Sequence, residues 1–431
     1  MSSEYKWLNN FINGKKVIIF SSSNGGQSVA EKIKNNFAYY IDNNKKKQGE
    51  IINGKEVKSP ECLKDENYNN IIILIASIYK KEISIQLRKM GFKYYKHYIN
   101  ALDFIETNET ESIWNKVKGY INQKPYLLDI YNTKSLFNEI QEKYIFKIKN
   151  NELIDQKIKS GIPVSLQRYE FKENPQILSK GFDLLIHGSQ ADGTATVFSD
   201  IDDLIILKKE FFTSFEVFEA TIKELHRLNL FYQSKDITQH HGHWLVSFDE
   251  LYHYNEVNIP SSIFNESVSI FGTSEISYFV DKNSIFSGRL LLLSENIENR
   301  VNDLVNNKSN LYELKHLLSG FALLFPLYYQ SKGKNITKKN AIKWASTTFE
   351  KEILDILNWV SNLRMNWEKV PTYKVVEEYK NRFMFMKNRE VIETAVSFNA
   401  PIITTMDLGI EDPHYFKDKI NYCLDFFKMS T

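Results

Sequence analysis

Cysteine is almost absent from this chain, with only Cys62 and Cys423 among 431 residues. The two lie far apart and lack the close spacing of paired metal ligands, so the sequence predicts neither a disulfide framework nor a cysteine-based zinc site. The N-terminal residues also lack the charged and then apolar profile of a secretory signal. This little cysteine fits a reducing compartment, and we expect a cytoplasmic protein.

Long hydrophobic runs are lacking as well. The most apolar stretch, Leu317–Tyr329, is 13 residues long and contains Gly320 and Pro326. A helix needs about 20 apolar residues to cross a bilayer, so we expect no membrane span.

Neither sign of charge is in excess. The chain has 55 Lys and Arg against 53 Asp and Glu, which leaves a net charge of +2, and its basic residues are scattered. A duplex-binding protein usually concentrates positive charge on one face, so nucleic acid is not an expected partner. The 42% hydrophobic and 25% charged residues are typical of globular proteins, and the length predicts about three domains.

The hydrophobic pattern divides the chain into an α/β part and a helical part. The first hundred residues predict strands at Val17–Phe20, Phe37–Ile41 and Ile71–Ala76, with helices between them, which is the pattern of a doubly wound sheet. The middle predicts strands and helices in a mixed order. They are strands Phe182–His187, Ile201–Leu207 and His243–Phe248 and helix Phe215–Asn229.

Beyond about residue 280 the apolar spacing becomes helical, and it predicts helices at 287–305, 310–330, 337–361 and 369–387. We therefore predict the class α/β plus α. The predicted domains are a doubly wound domain at 1–105, a helical linker at 106–140, a mixed-sheet domain at 141–265 and a helical bundle at 266–431.

One segment of the middle part carries the clearest chemistry. A buried strand ends in Gly188-Ser189, and a second strand follows the acids Asp200 and Asp202. A glycine lets the backbone approach a phosphate closely, and the serine adds a hydroxyl near a helix start. Two carboxylates two residues apart on a strand face the same way, which suits Mg²⁺ held against a nucleoside triphosphate.

These residues resemble the signature of the DNA polymerase beta-like nucleotidyltransferase superfamily. The likeness extends to Gly193-Thr194 in the loop and to Ser199. It implies transfer of a nucleoside monophosphate from an NTP, with Mg²⁺ or Mn²⁺ bound by Asp200 and Asp202 and with phosphates bound by the Gly-Ser turn. A Gly-Ser turn followed by a solvated acid pair is the alternative.

Many members of that superfamily have a third carboxylate on a later strand. Asp236 is the first candidate here by position, and Glu250 is the second. His240, His241 and His243 follow Asp236 and would serve as ligand, base or phosphate contact, or as polar residues of an edge strand. By strand alternation, neighbouring Asp203 points to the opposite face and receives no metal role, and His187 is interpreted as a packing residue.

The N-terminal part is similar to Rossmann-type domains appended to bacterial glycan-modifying enzymes. The residues are Lys16–Phe20, a small-residue turn, Tyr40–Asn44 and Asn53–Pro60. The likeness implies that Gly25 and Gly26 meet a pyrophosphate and that Asp42 meets a ribose hydroxyl. Serines stand at positions 21 and 23, where glycines are usual, so a domain that kept the fold and lost its ligand stays open.

The N-terminal likeness favours a small acceptor such as a sugar, a sugar phosphate or a glycan precursor. Three alternatives stay open. One is an antibiotic-modifying enzyme, because Thr337–Trp344 resembles aminoglycoside nucleotidyltransferases; another is a toxin-type enzyme acting on tRNA or protein. The third is a nucleotide sensor without turnover. The motif specifies neither the base of the NTP nor the oligomeric state.

Overall fold

The computed structural model describes residues 12–77, 79–94, 96–101, 114–115, 117, 151–254, 256, 259–281, 287–384 and 388–430. The chain folds as two compact units. Unit 1 consists of residues 1–109 together with 385–399, and unit 2 consists of residues 110–384 together with 400–431. The predicted linker at 106–140 lies outside the described residues except at 114–115 and 117. The finer predicted division of unit 2 stays a prediction.

The described strands and helices alternate in the first part of the chain and become purely helical toward its end. The strands are β1 Lys16–Phe20, β2 Tyr39–Ile41, β3 Ile51–Ile52, β4 Lys55–Lys58, β5 Ile71–Ile75, β6 Tyr98–Asn100, β7 Asn151–Lys157, β8 Lys159–Ser160, β9 Phe182–His187, β10 Asp202–Leu207, β11 Trp244–Ser247, β12 Val268–Phe271 and β13 Glu275–Asp281. The α-helices are α1 Asn24–Lys32, α2 Lys80–Lys89, α3 Pro175–Gly181, α4 Gly188–Asp192, α5 Lys209–Thr213, α6 Phe215–Lys235, α7 Ile263–Glu266, α8 Ser287–Val305, α9 Leu311–Ser331, α10 Lys338–Ala345, α11 Lys351–Met365, α12 Tyr373–Glu377, α13 Tyr379–Phe383, α14 Arg389–Asn399 and α15 Pro413–Met429.

Unit 1 is built on a six-stranded sheet with the order β3-β4-β2-β1-β5-β6. The five strands from β4 to β6 in that order are parallel, and only β3 runs antiparallel, as a hairpin onto β4. Strand β5 is buried along its whole length, as its continuous apolar sequence predicts for a parallel strand covered on both faces. The predicted α/β character of this part is confirmed.

Helix α14 belongs to unit 1 although it lies nearly 300 residues downstream of β6 in sequence. It buries Val391, Ile392, Ala395 and Val396. Its Phe398 ring lies 5.3 Å from the Tyr94 ring, and the Arg88 guanidinium lies 4.3 Å above that phenylalanine. The core of unit 1 therefore draws on two distant parts of the sequence.

Unit 2 contains a mixed five-stranded sheet with the order β11-β10-β9-β12-β8. Strand β9 pairs antiparallel with β10 and β12, while β11 runs parallel to β10 and β8 runs parallel to β12. One face packs its buried side chains against α3, α5 and α6, and the other packs against the two-stranded β7–β13 sheet and its neighbours. Successive buried side chains of β9 and β10 therefore point alternately into two hydrophobic cores, one on each face of the sheet.

The helical region packs α9 against α8, α10 and α11, and α15 against α8 and α11. The predicted helices 287–305 and 310–330 correspond to α8 and α9, whereas the single helix predicted at 337–361 is wrong. Residues Ser346–Glu350 separate α10 from α11, because this stretch places serine and two threonines in succession, and such side chains compete for backbone hydrogen bonds. The predicted helix 369–387 is likewise broken into α12 and α13.

Among the described residues, no helix is both long enough and apolar enough to cross a membrane. The apolar stretch singled out in the sequence lies within α9, which is an interior helix of unit 2 with most of its residues buried.

Candidate functional site

The Gly-Ser turn joins the two central strands of unit 2. Strand β9 ends at His187, and Gly188, with φ of +64°, opens the short helix α4. His187 pairs with Asp202 across the antiparallel ladder, so the turn and the second acid are neighbours. A Cβ atom at Gly188 would lie 2.9 Å from the Asp202 Oδ2 atom. Both the backbone angle and the space therefore favour glycine here.

The two motif acids are held differently from the regular strand that the sequence predicts. Strand β10 begins at Asp202, and Asp200 lies in the loop before it. The reason is Gln239, whose buried amide group accepts from the Ile201 N–H at 2.9 Å and donates to the Ile201 carbonyl at 3.0 Å. A side chain thus takes the place of a neighbouring strand at Ile201.

The same loop is anchored to the helical region. Phe198 is buried, with its ring 5.0 Å from the Trp367 ring and the Arg364 guanidinium 4.7 Å above it. Gln239 also donates to the His241 carbonyl at 3.2 Å. One glutamine and one phenylalanine therefore fix the backbone on both sides of Asp200 and link it to the histidine segment.

Asp200 is buried and has a separate partner for each carboxylate oxygen. Its Oδ1 atom accepts from the Lys315 ammonium at 2.6 Å. Its Oδ2 atom lies 2.9 Å from His240 Nδ1 and 3.9 Å from His241 Nε2. Burial alone would raise the pKa of this acid, but the Lys315 charge and the histidines hold its pKa well below the usual range.

Asp236 joins the same cluster through Lys315. It follows α6 and accepts from the Thr238 N–H at 2.8 Å and the Thr238 hydroxyl at 2.6 Å, while its other oxygen bonds to the Lys315 ammonium. The lysine is fully buried; burial acts to lower its pKa, but Asp200 and Asp236 raise it above the usual value. A permanent positive charge therefore lies between Asp200 and Asp236, two of the acids that the sequence proposes for the site.

Three imidazole rings cluster beside Asp200, tilted against one another. The His240 ring centroid lies 3.9 Å from that of His241 and 4.2 Å from that of His316, which is on α9. Burial and the neighbouring rings lower the pKa of His241 to about 4 and that of His316 to about 2. Both rings are therefore neutral near pH 7 and have a nitrogen lone pair available.

Further cations surround the turn. Burial lowers the pKa of Lys338, on α10, while Asp202 and Asp200 act to raise it. The same two acids act on Arg364 of α11, whose pKa is also lowered by burial. In contrast, the Asp202 carboxylate makes no hydrogen bond or ion pair with any described residue. Asp202 therefore lacks such a partner, while Lys338 and Arg364, two partly desolvated cations, interact with it electrostatically.

Two of the predicted candidates, Glu250 and His243, lie away from the Asp200 cluster. Glu250 accepts from the Ser247 N–H at 2.8 Å and from its hydroxyl at 2.9 Å, so it closes the turn after β11. Because β11 runs parallel to β10, with Ser247 opposite Leu207, this turn lies at the other end of the strands from Asp202, roughly 16 Å away. The structure does not bring Glu250 to the cluster.

Asp203 and His243 form a buried pair behind the sheet. The His243 Nδ1 atom lies 2.6 Å from the Asp203 carboxylate, its Nε2 atom lies 2.7 Å from the Leu225 carbonyl, and Tyr232 donates to the same carboxylate at 2.9 Å. These contacts tie α6 to β10. Asp203 therefore lies apart from Asp200 and Asp202, as alternation along the strand implies.

The turn after β1 in unit 1 has its polar groups hydrogen bonded within the unit. Ser21 has φ of +106° after β1, and a Cβ atom on Gly26, in the first turn of α1 beside Gly25, would overlap the Ser21 carbonyl oxygen. Asp42 accepts from the Ser22 N–H at 3.0 Å and from its hydroxyl at 2.7 Å. Burial acts to raise the pKa of Asp42, but a hydrogen bond from the Asn44 N–H, together with those from Ser22, lowers it.

Sequence reasoning missed four members of the cluster: Lys315, His316, Lys338 and Arg364. A signal for the first two was present, because Lys315-His316 interrupts the apolar sequence of α9 at a position that its helical period predicts to be buried. Lys338 lies in the Thr337–Trp344 segment whose likeness was noted above, but that likeness gave the lysine no role of its own. No signal marks Arg364, which lies near the end of an amphipathic helix.

The donor atoms of Asp200, His240 and His241 lie within 4.8 Å of one another, and this group could hold a metal ion. Comparison with known proteins informs unit 1. Residues 13–98, about a fifth of the chain, match the family described as C2185-like, N-terminal. No curated protein matches the chain significantly.

Proposed function

We propose that this protein is a metal-dependent nucleotidyltransferase of the polymerase beta-like type. It would transfer a nucleoside monophosphate from an NTP to a small acceptor, such as a sugar, a sugar phosphate or a glycan precursor, and release pyrophosphate. The observation that carries the proposal is the packing of Gly188, in a left-handed conformation, directly against Asp202, with Asp200 in the loop just before it.

In this proposal the turn at Gly188-Ser189 binds the β- and γ-phosphates through its backbone N–H groups. Asp200 and Asp202 hold the divalent ion, Mg²⁺ or Mn²⁺, which when bound would neutralise phosphate charge. Lys338 and Arg364 act electrostatically on both acids and would offset the charge of the departing pyrophosphate.

The transfer step forms one bond from an acceptor oxygen to the α-phosphorus and breaks the bond to pyrophosphate. The acceptor proton must pass to a base. Both carboxylate oxygens of Asp236 are engaged, one by Thr238 and the other by Lys315, whereas His241 is about a third exposed and neutral near pH 7. We therefore assign the proton to His241 and a positioning role to Asp236.

For unit 1 we propose a Rossmann-like fold. The strand order β4-β2-β1-β5-β6 in one parallel sheet supports this, because strand order reverses on either side of β1. A nucleotide at Gly25 and Gly26 would need Asp42 to exchange its hydrogen bonds with Ser22 for a ribose hydroxyl.

A second candidate is a nucleotide-binding protein without turnover. The observation that favours it is the Lys315 ammonium, which ion-pairs with Asp200 and Asp236, where a transferase would concentrate metal ligands. The transfer readings with other acceptors, an antibiotic or a macromolecule such as tRNA or protein, use the same residues and differ only in the acceptor.

The test measures pyrophosphate release by the full chain with Mg²⁺ or Mn²⁺ and each of the four NTPs, with and without a pool of sugars and sugar phosphates. Asp202→Asn removes the free carboxylate, and Asp418→Asn, an exposed acid on α15, is the matched control. We expect acceptor-dependent release with one NTP, loss of release in Asp202→Asn and full release in Asp418→Asn.

Melting curves with each NTP separate the alternatives. A thermal shift with an NTP but no pyrophosphate release under any condition would reject the transferase and support the sensor. Release that requires added tRNA, protein or aminoglycoside, with sugars inactive, would keep the transferase and reject the glycan acceptor.

A further inference from the structure

The mixed donor set around Asp200 differs from the all-carboxylate set that the Mg²⁺ reading requires. Asp236 is engaged by a buried ammonium, and the Oδ1 atom of Asp200 bonds to that same Lys315. What faces Asp200 Oδ2 instead is a pair of imidazole nitrogens. Mg²⁺ prefers oxygen ligands, whereas imidazole nitrogen suits Zn²⁺ and other first-row transition ions.

We propose that Asp200, His240 and His241 form a binding site for one divalent transition-metal ion of the Zn²⁺ class. The inference rests on the proposed transferase for the ion's role, but not for its binding. It keeps Asp200 on the ion and puts His240 and His241 in the place of Asp202. Because an imidazole nitrogen that binds a metal has no lone pair left for a proton, the acceptor proton would then pass to a base other than His241.

The separations fit such an ion. Ligands at bond lengths near 2.1 Å place their donor atoms about 3 to 3.5 Å apart. His240 Nδ1 lies 2.9 Å and His241 Nε2 lies 3.9 Å from Asp200 Oδ2, and all three donors lie within 4.8 Å. Small side-chain movements would therefore bring one ion within bonding distance of each donor.

The buried nitrogen of His240 supports a ligand role. The His240 side chain is 3% exposed, and its Nδ1 atom has no hydrogen bond of acceptable geometry among the described residues, although it points to Asp200. Its contact with Asp200 Oδ2 is electrostatic and poorly aligned for a hydrogen bond, which is uncommon for a buried polar atom and needs an explanation. A metal ion between the two groups supplies one.

The second oxygen of Asp200 is hydrogen bonded, as the oxygens of metal-binding carboxylates commonly are. Its Oδ1 atom accepts a charge-assisted hydrogen bond from Lys315 at 2.6 Å, which fixes the carboxylate and leaves Oδ2 directed to the imidazoles. The Gln239 amide fixes the backbone at both Ile201 and His241. Hydrogen bonds of this kind hold ligands in place and commonly change metal affinity 10- to 100-fold.

The experiment uses the full chain after removal of metal by chelation, without nucleotide. Co²⁺ is titrated and followed by its visible absorption, and Zn²⁺ is then added as competitor; metal content after dialysis against Zn²⁺ gives the stoichiometry. We expect one ion per chain, displacement of Co²⁺ by Zn²⁺, and no displacement by a large excess of Mg²⁺.

Three variants locate the site. His241→Ala removes a ligand whose side chain is about a third exposed. It should weaken binding about 100-fold or more, because loss of a partner that only supports a ligand already costs about 10- to 100-fold, and His241→Gln is the second variant if the first does not fold. His414→Ala removes an exposed histidine on α15 and should bind as the parent does. Asp202→Asn should retain the ion, because Asp202 is outside the proposed donor set.

Binding that survives in His241→Ala and His241→Gln but is lost in Asp202→Asn would overturn the inference in favour of a two-aspartate site. Absence of stoichiometric binding would leave His240 and Asp200 as an ion pair only and would also overturn it. Neither result depends on pyrophosphate release, so failure of this site is distinguishable from failure of the proposed transferase.

Discussion

Each unit contains a turn in which a buried strand ends at a residue of positive φ beside an aspartate. After β1 the residue is Ser21 and the acid is Asp42; after β9 they are Gly188 and Asp202. In unit 1 the acid is hydrogen bonded by the serine that follows the turn. In unit 2 the acid makes no such bond with the described residues, and His241, which is neutral near pH 7, and the partly buried Lys338 interact with it electrostatically.

The difference teaches how to separate a turn that serves the fold from one that serves a ligand. Polar groups that satisfy each other within a few residues stabilise the chain and need nothing further. Functional sites typically contain buried titratable groups that are only partly paired. The pKa values of such groups are often shifted, so that their charge differs from the usual one at neutral pH. Function is therefore expected first in unit 2, and the following predictions test that contrast.

The largest expected effect is on stability in unit 2. Lys315→Met leaves Asp200 and Asp236 without their shared cation, and breaking a buried ion pair in this way costs about 3 to 5 kcal/mol. Denaturant unfolding measures it, and adding Asp236→Asn to Lys315→Met should restore part of the loss. A single variant with parental stability would mean that the ammonium is not needed to neutralise the two acids.

Next in size is catalysis by the same unit. Asp202→Asn should reduce pyrophosphate release roughly 10²- to 10³-fold if Asp200 and Asp202 hold the ion as proposed, because it would then remove a metal ligand worth several kcal/mol in the transition state. Its unfolding free energy should stay close to that of the parent, since this carboxylate makes no hydrogen bond or ion pair with the described residues. A loss of activity explained by unfolding would contradict the assignment.

Substitution of the two turn glycines should affect different properties, mainly stability at Gly26 and mainly activity at Gly188. Gly26→Ala forces a Cβ atom onto the Ser21 carbonyl oxygen and should destabilise unit 1 by about 2 to 3 kcal/mol. Gly188→Ala should cost about 1 to 2 kcal/mol for its left-handed backbone, and its new Cβ should displace Asp202 and lower activity. Thermal unfolding and pyrophosphate release, measured on both variants, check the pair. Equal losses of activity would remove the contrast between the turns.

The smallest effect is a pH dependence in unit 1. The pKa of Asp42 is lower in the folded state than its unfolded value near 3.9, so its stabilisation is present above about pH 4 and is lost as the pH falls through the folded value. At pH 7 Asp42→Asn should cost about 1 to 2 kcal/mol, and near pH 3 the difference should shrink. Denaturation curves at both pH values measure it, with the exposed Asp65→Asn as control.

Local sequence pattern predicted the strands well where burial dictated the residues. Strands β1, β5 and β9 lie within a residue or two of their apolar runs, because a strand covered on both faces needs a continuous apolar sequence. The helix predicted at 337–361 was wrong, since apolar spacing continues through Ser346–Glu350 although the backbone does not. Periodicity reports which face is buried and says little about where the helix ends.

The site could be predicted only as far as neighbours in sequence reach. The Gly-Ser turn and the two acids could be found because they lie within 15 residues of one another. Lys315 is 115 residues from Asp200, and its pairing depends on how α9 packs against the loop, which a local pattern does not encode. Glu250 shows the converse, because it is close to the histidines in sequence and lies at the far end of the strands.

Helix α14 has a consequence for how the protein is made. Its buried face and its Phe398 contacts complete unit 1, whose described strands all lie before residue 101. The ribosome must therefore add nearly 300 further residues after β6 before this helix is synthesised. During that interval the apolar surface beside Tyr94 and Arg88, which α14 contacts in the folded protein, has no partner, and chaperones would have reason to bind it. A fragment that ends after β6 would lack α14 permanently and would keep this apolar surface exposed.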